Sequence, residues 1–241
     1  MNPIEGANIE GLTHQYLLTT QNLANASTTG FKRRLAVFQE ALEAQADGEG
    51  AARTVNAGTA VDFSQGGLVR TGRTLDLALA GDGFFVVESP EAAGGVLYTR
   101  NGAFRTNGQR QLVDAAGRLV AGEGGPIVLP TSVGLDRVSV SSDGTVSAGG
   151  QAVGKLRLAA FADPRELKAV GASLFEAPAG VLAEAPQGTK VHQGFQEASN
   201  VATVEELVTL IMVTRLYEAG MKTISAQDER MKNLIQVAMS S

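Results

Sequence analysis

Gly149-Gly150-Gln151-Ala152-Val153-Gly154-Lys155 satisfies the first seven positions of a phosphate-binding loop. The eighth position, where Ser or Thr must hold magnesium, is Leu156, and the segment runs into a strand-like stretch instead of a helix N-terminus. Phosphate binding is not expected there. His14 and His192 lie at opposite ends of the chain, each without a second histidine at ligand spacing. There is no Cys, hence no thiolate metal site and no disulfide framework. Asp76 and Asp82 are close enough in sequence to work as an acid–base pair in a hydrolase. Asp82, however, sits in Gly81-Asp82-Gly83, a turn where Asp is favoured for bonds to its own backbone. No Gly-x-Ser-x-Gly nucleophile elbow occurs. The chain reads as no enzyme, with no cofactor and no metal.

The residues that repeat at informative spacing are apolar and lie at the chain ends. Ile9, Leu12, Tyr16, Thr19 and Leu23 recur at alternating intervals of three and four. Leu207, Leu210, Thr214, Tyr217, Met221, Ile224, Asp228, Met231, Ile235 and Ala238 do the same, with Asp228 as a polar interruption. This heptad pattern lines one strip of a helix. Val204, Val208, Ile211 and Met212 widen the strip early in the second segment, so more than one neighbour is expected there. The first helix is read over Asn8 to Leu23; the second starts near Gln193 and runs almost to the C-terminus. A helix of roughly forty residues is about 60 Å long, more than a domain of this size is wide. It calls for partners.

A chain of 241 residues with 44% hydrophobic residues is ordinary for a globular protein. Glycine is abundant at 29 residues and aromatics are sparse at 5%, which points to many tight turns. A net charge of −5 argues against nucleic acid as a partner. The basic run Lys32-Arg33-Arg34 reads as a solvated helix start. The N-terminus has no basic and apolar pair of regions like those of a cleaved secretory signal, and no apolar run approaches the roughly 20 residues that span a bilayer. No membrane insertion is expected.

Between the ends the pattern changes. Phe31 to Ala46 is rich in helix formers, and Asp47 to Gly50 would end that helix. From Thr54 to about Gly150 short β-like runs alternate with turns. Asn101-Gly102, Asn107-Gly108 and Asp143-Gly144 are hairpin signals. Asp163-Pro164-Arg165-Glu166 carries an N-cap, a Pro at the first helical position and a Glu at the third, and predicts a short helix.

Three separated motifs resemble a known family. Asn22-Leu23-Ala24-Asn25-Ala26-Ser27-Thr28-Thr29-Gly30-Phe31-Lys32 is similar to the N-terminal signature of the bacterial flagellar axial proteins, the rod, hook and hook-associated family. Gln21 stands where that family usually has Asn. Gly194 to Glu206 resembles the C-terminal signature through Glu197, Ser199-Asn200-Val201 and Glu205-Glu206; Ala202 stands where Asn or Asp is common. Thr71 to Ala78, Gly81 to Phe85 and Tyr98 to Phe104 resemble the β domain shared by rod and hook proteins. The length is similar to rod proteins with a single β domain, and favours the proximal type over the distal.

The resemblance implies a structural subunit of the basal-body rod, at home in the periplasmic space and exported without a cleaved signal peptide. It implies as partners copies of itself, other rod and axial proteins, and the flagellar export apparatus. A distal rod or hook-type subunit, or a β-domain binding module with an oligomerisation coiled coil, is the alternative. The expected fold class is α+β: terminal helices forming a coiled-coil-like domain over residues 1–46 and 191–241, a linker at 47–60, and a β-rich outer domain at 61–190, barrel-like or sandwich-like. The expected assembly interface is Ile9, Leu12, Tyr16, Leu23, Leu207, Leu210, Ile211, Tyr217, Met221, Ile224, Met231 and Ile235. The motif residues are Asn22, Asn25, Thr29, Gly30, Phe31, Gly194, Glu197, Ser199 and Asn200.

Overall fold

The computed structural model describes residues 3–43, 52–92 and 94–239. Among them two α-helices, one near each end of the chain, flank eighteen strands that pair in small sheets. The helices are α1 (Pro3–Ala24) and α2 (Thr203–Met239). The first strands are β1 (Arg34–Glu43), β2 (Ala52–Val61), β3 (Leu68–Arg70), β4 (Leu77–Ala80), β5 (Phe84–Glu88) and β6 (Val96–Thr99). The expected α+β class with a coiled-coil-like domain is therefore corrected: the molecule is mostly β with two helices. The central β part is present.

The chain divides into two compact units. One comprises residues 1–24, 34–60 and 202–241; the other comprises residues 25–33 and 61–201.

The first unit holds α1, α2 and the ribbon of β1 paired with β2. The expected helix over Phe31 to Ala46 is instead strand β1, and its expected stop at Asp47 to Gly50 lies outside the described residues. The strand wins for a long-range reason. Asn22 receives the Arg34 N–H on Oδ1 and donates from Nδ2 to the Arg34 carbonyl, both at 2.8 Å, as a neighbouring strand would. Side-chain propensity is a weak prior against such pairing. Residues 52–60 of the expected linker stand in β2.

The helices pack along each other. On α2 the deepest positions are Glu206 at 1% exposure and Val213 at 2%, while Leu207 and Met221 are exposed. Gly220 faces Ile9 closely: a Cβ on Gly220 would lie 2.9 Å from Ile9 Cδ1. Close approach through a glycine replaces a knob in a hole at this point.

The second unit is built around β5. Phe85 and Val87 enter one apolar cluster with Leu77, Leu79, Phe104, Leu112, Ile127 and Leu156. Phe84 and Val86 enter another with Tyr98, Leu167 and Phe175. A strand buried on both faces is apolar throughout, which is why Phe84 to Val87 shows no alternation. β5 lies inside a five-stranded sheet in the order Leu158–Ala159, β5, β6, Leu174–Glu176, Lys168–Ala169. Edge-on ring contacts of Phe84 with Phe63 at 5.7 Å and Phe175 at 5.8 Å fasten the second cluster.

The expected second helix loses its start. Lys190–Gln193 pairs with β4 and Phe195–Glu197 with β3, so α2 begins only at Thr203. Gly194, with φ of 78°, makes the turn between the two strands. Glu205 and Glu206 in the first turn of α2 suit the positive end of the helix dipole.

Candidate functional site

The motif residues near the two chain ends meet inside the second unit. The Gly30 N–H donates to the Glu197 carbonyl at 2.8 Å, and the Arg33 N–H donates to Asn200 Oδ1 at 2.7 Å. Thr29 Oγ1 donates to Gln196 Oε1 at 3.1 Å. Asn200 Nδ2 donates back to the carbonyls of Asp62, at 2.9 Å, and Ser64, at 3.2 Å. Phe31 is buried beside them at 1% exposure. Residues 29–33 thus run alongside residues 196–200.

Gly30 occupies a turn over Thr28 to Phe31, closed by a bond from the Phe31 N–H to the Thr28 carbonyl. Its φ is 68°. α1 has already ended at Ala24, so this glycine closes a turn and not the helix. An added Cβ would lie 2.4 Å from the backbone nitrogen of Asn101, so the position excludes a side chain twice over.

The Glu197 carboxylate is the centre of this junction. Oε1 accepts from Lys32 Nζ at 2.6 Å and from the Gly66 N–H at 3.0 Å; Oε2 accepts from Arg100 at 3.3 Å. Lys32 also donates to the Ser64 carbonyl at 2.7 Å, and the Arg100 guanidinium lies 5.3 Å from the centre of the Phe84 ring. All three ionic side chains are 4% exposed or less. Burial pulls the Lys32 ammonium and the Arg100 guanidinium below their ordinary ranges, and Glu197 opposes this in both cases. The reading of Lys32 as the start of a solvated basic run is corrected: its counter-ion is supplied from far along the chain. Neither Lys32 nor Arg100 was a sequence candidate, and the only signal was their place inside two of the family motifs.

The other motif residues hold turns. Asn25 Oδ1 accepts from Thr28 Oγ1 at 3.2 Å, and Ser199 Oγ accepts from the Val201 N–H at 3.3 Å. The Gly194 carbonyl accepts from the Thr71 N–H at 2.8 Å and the Gly72 N–H at 3.1 Å. In the first unit Asn22 is buried, and its Nδ2 also lies 3.4 Å from Glu206 Oε2. Glu206 is a second buried glutamate, and sequence spacing does not single it out.

The expected interface residues all stand on α1 and α2. Ile9, Leu12, Leu23, Leu210 and Ile224 are half-buried. Tyr16, Leu207, Ile211, Tyr217, Met221 and Ile235 are exposed. The side chain of Met231 lies outside the described residues. Exposed apolar side chains also include Val204, Val208, Met212 and Leu216, so the start of α2 is apolar well beyond one strip.

The chemical candidates resolve into structure. Gly149 and Gly150, with φ of 60° and 86°, form the two-residue turn of a hairpin in which Ala148 pairs with Gln151. Lys155 bonds Glu123 Oε1 at 2.8 Å. Asp76 is buried with Oδ2 accepting from Thr71 Oγ1 at 2.7 Å, whereas Asp82 is exposed. His14 Nε2 lies 3.2 Å from both the Gly58 carbonyl and Thr59 Oγ1. Among the described residues no group of His, Cys, Asp and Glu could hold a metal ion, and no helix is long and apolar enough to cross a membrane.

Comparison with known proteins yields matches over nearly the whole chain. The family described as the flagellar hook protein FlgE/F/G D1 domain matches residues 78–148, and that described as flagellar basal body rod FlgEFG protein C-terminal matches residues 192–237. The flagellar basal-body rod protein FlgF of Caulobacter vibrioides is 35% identical over 224 residues, covering 91% of this chain and 89% of that one. FlgF of Salmonella typhimurium is 36% identical over 90% of this chain and 89% of its own. The rod protein FlgG of Buchnera aphidicola subsp. Schizaphis graminum is 32% identical over 90% and 92%.

Proposed function

The chain belongs to the flagellar basal-body rod protein family, related to the hook protein, and we propose that it enters the rod through the apolar faces of α1 and α2. Its role is structural: it is a rod subunit of the basal body, not an enzyme, and it assembles with other flagellar axial proteins.

The observation that carries the proposed interface is the start of α2. Val204, Leu207, Val208, Ile211, Met212 and Leu216 are each between 43% and 75% exposed. Each such side chain removed from water contributes about 1.5–3 kcal/mol at most. A repeated contact of this kind stiffens a tube. The interface we assign comprises Ile9, Leu12, Tyr16 and Leu23 of α1 with Leu207, Leu210, Ile211, Tyr217, Met221, Ile224, Met231 and Ile235 of α2.

The finer assignments rest on the resemblance and on length. We take the first unit, residues 1–24, 34–60 and 202–241, as the assembly portion and the second, residues 25–33 and 61–201, as the β portion that faces outward in the rod. We take the chain to be the proximal rod type, delivered by the flagellar export apparatus to a rod that crosses the periplasmic space. The test is to purify basal bodies from cells carrying an epitope-tagged copy and to locate the tag by immunogold labelling. Label on the proximal rod is expected; label on the hook or absence from the basal body overturns the assignment.

A further inference from the structure

The second unit carries the same reactive dipeptide twice, and the fold treats the two copies differently. In Asn-Gly the next backbone nitrogen can close a succinimide ring on the side-chain amide carbon, and glycine leaves that nitrogen unshielded, so asparagine is thermally labile there. Asn107-Gly108 lies in the loop between the strands Arg105–Thr106 and Leu112–Val113. Gly108 is exposed, and a Cβ placed on it would meet nothing within 4 Å. Asn107 is half-buried; its Oδ1 accepts from the Gln109 N–H at 3.0 Å and the Gln111 N–H at 2.9 Å, and its Nδ2 donates to Gln111 Oε1 at 2.8 Å. Two N–H dipoles on one carbonyl oxygen draw electrons from Cγ. They are in place to stabilise the negative charge that Oδ1 takes up when a nucleophile adds.

Asn101-Gly102 is the internal contrast. Asn101 Oδ1 accepts from the Ala103 N–H alone among the described residues, at 3.0 Å. Gly102 is buried, and its carbonyl accepts from the N–H groups of Leu77 and Phe104, both at 2.9 Å. Its own neighbour is so close that a Cβ would fall 1.8 Å from the Leu77 carbonyl oxygen. The Asn101 backbone is pressed in turn against Gly30. Ring closure needs the glycine nitrogen to lose its proton to water or hydroxide and to move onto Cγ. Burial denies the first, and close packing denies the second.

We propose that Asn107 is a site of spontaneous modification in the folded chain, converted through a succinimide to aspartate and isoaspartate, while Asn101 is preserved. The Gly108 N–H gives its proton to hydroxide, and the nitrogen adds to Asn107 Cγ. The Cγ–Nδ2 bond breaks, and Nδ2 takes a proton from water and leaves as ammonia. A second water then opens the ring at either carbonyl. Overall one water is consumed and one ammonia released, with no oxidation or reduction.

The aspartate product fits this loop. Its Oδ1 keeps the bonds from the Gln109 and Gln111 N–H groups, and Gln111 turns its amide to present Nε2 in place of Oε1. Asp holds such a turn as Asn does. Isoaspartate instead lengthens the main chain by a methylene and disturbs the pairing of Asn107 N–H with the Gln111 carbonyl. Either product adds one negative charge to a chain that already carries −5.

The test is to incubate the purified, folded full chain in mildly alkaline buffer and to map it by peptide mass spectrometry over time. Exchange of NH for O is followed at each asparagine, and isoaspartate is labelled with protein isoaspartyl methyltransferase. The expected result is progressive loss of Asn107 with isoaspartate at that position, at a rate that rises with pH, and an intact Asn101. In urea both sites should convert, which shows that the fold sets the difference. Gly108 has no left-handed φ and free space at Cβ, so Gly108→Ala should melt as the parent does and lose the modification. An Asn107 that stays intact in the folded chain overturns the proposal. So does equal conversion of Asn101 and Asn107 there. Unchanged conversion in Gly108→Ala is equally fatal, since it means direct hydrolysis of the amide without the ring.

Discussion

Lys32 Nζ lies 2.6 Å from Glu197 Oε1, and the two side chains are 1% and 0% exposed. With Arg100 on the other carboxylate oxygen, two buried cations share one buried anion. Removing the anion is therefore worse than removing one cation. Glu197→Gln takes from both cations the carboxylate they bond directly, leaving Asp62 and Asp82 as more distant charges, and should cost about 3–5 kcal/mol, the range for breaking a buried pair. Lys32→Met keeps the Arg100 pair and should cost less. Thermal unfolding of the two full-length variants checks the order; equal midpoints for Glu197→Gln and wild type would show that the cluster contributes nothing.

A second prediction separates backbone strain from crowding. Gly30 and Gly72 both have left-handed φ, 68° and 74°, but only Gly30 meets another chain segment where a Cβ would be. Gly72→Ala should cost about 1–2 kcal/mol, the conformational penalty alone. Gly30→Ala adds a clash with the backbone of Arg100 and Asn101 and should be clearly more destabilising, by urea titration of both variants. Equal shifts would mean that the turn simply moves aside.

How much of this was readable from the sequence depends on the range of each interaction. Asp143-Gly144 is a hairpin turn as expected, with Gly144 at φ 87° and Asp143 Oδ1 accepting from the Thr145 N–H, because every partner is local. Asp163 caps a single 3₁₀ turn at Pro164–Glu166 for the same reason. Asn101-Gly102 has the same local look and is no primed turn. Gly102 has no left-handed φ; it is there because a Cβ would fall 1.8 Å from the Leu77 carbonyl oxygen. Asn107-Gly108 does join two strands, but the left-handed residue of that loop is Arg110, at φ 61°. Lys32 reads as a solvated cation in the sequence because its counter-ion is 165 residues away. Strand β1 reads as helix in the sequence because its partners, Asn22 and β2, are not neighbours in the pattern of helix formers.

Asp143 supplies a pH prediction. Bonds from Ser141 and Thr145 hold its carboxyl down to about 2, below the ordinary carboxylate range. A folded pKa below the unfolded one means a contribution present above about pH 4 and lost as pH falls through about 2. The group is fully exposed, so the effect is local to the turn. Carbon-detected NMR should follow the Asp143 carboxyl to a midpoint near 2, and Ser141→Ala/Thr145→Ala should raise it. An unshifted midpoint in the parent chain would mean that these bonds do not persist in solution.

The last prediction uncouples folding from assembly. Ile211 is 56% exposed and lies in the uncharged stretch of α2, while Lys222, three turns on, sits among charges. In the isolated chain Ile211→Asp stays in water, so its stability should change by less than about 0.5 kcal/mol, as for most surface substitutions. Lys222→Asp should be equally harmless. At a dry contact between copies the outcomes diverge: an unpaired buried carboxylate costs several kcal/mol per subunit, repeated at every copy. Ile211→Asp should therefore leave the circular dichroism and melting of the chain unchanged and abolish its recovery in basal bodies, with motility lost. Lys222→Asp should retain both. Ile224 makes a poorer probe because it is half-buried within the chain itself, so its replacement confounds folding with assembly. If Ile211→Asp and Lys222→Asp enter rods equally well, the exposed face of α2 is not the surface that joins subunits.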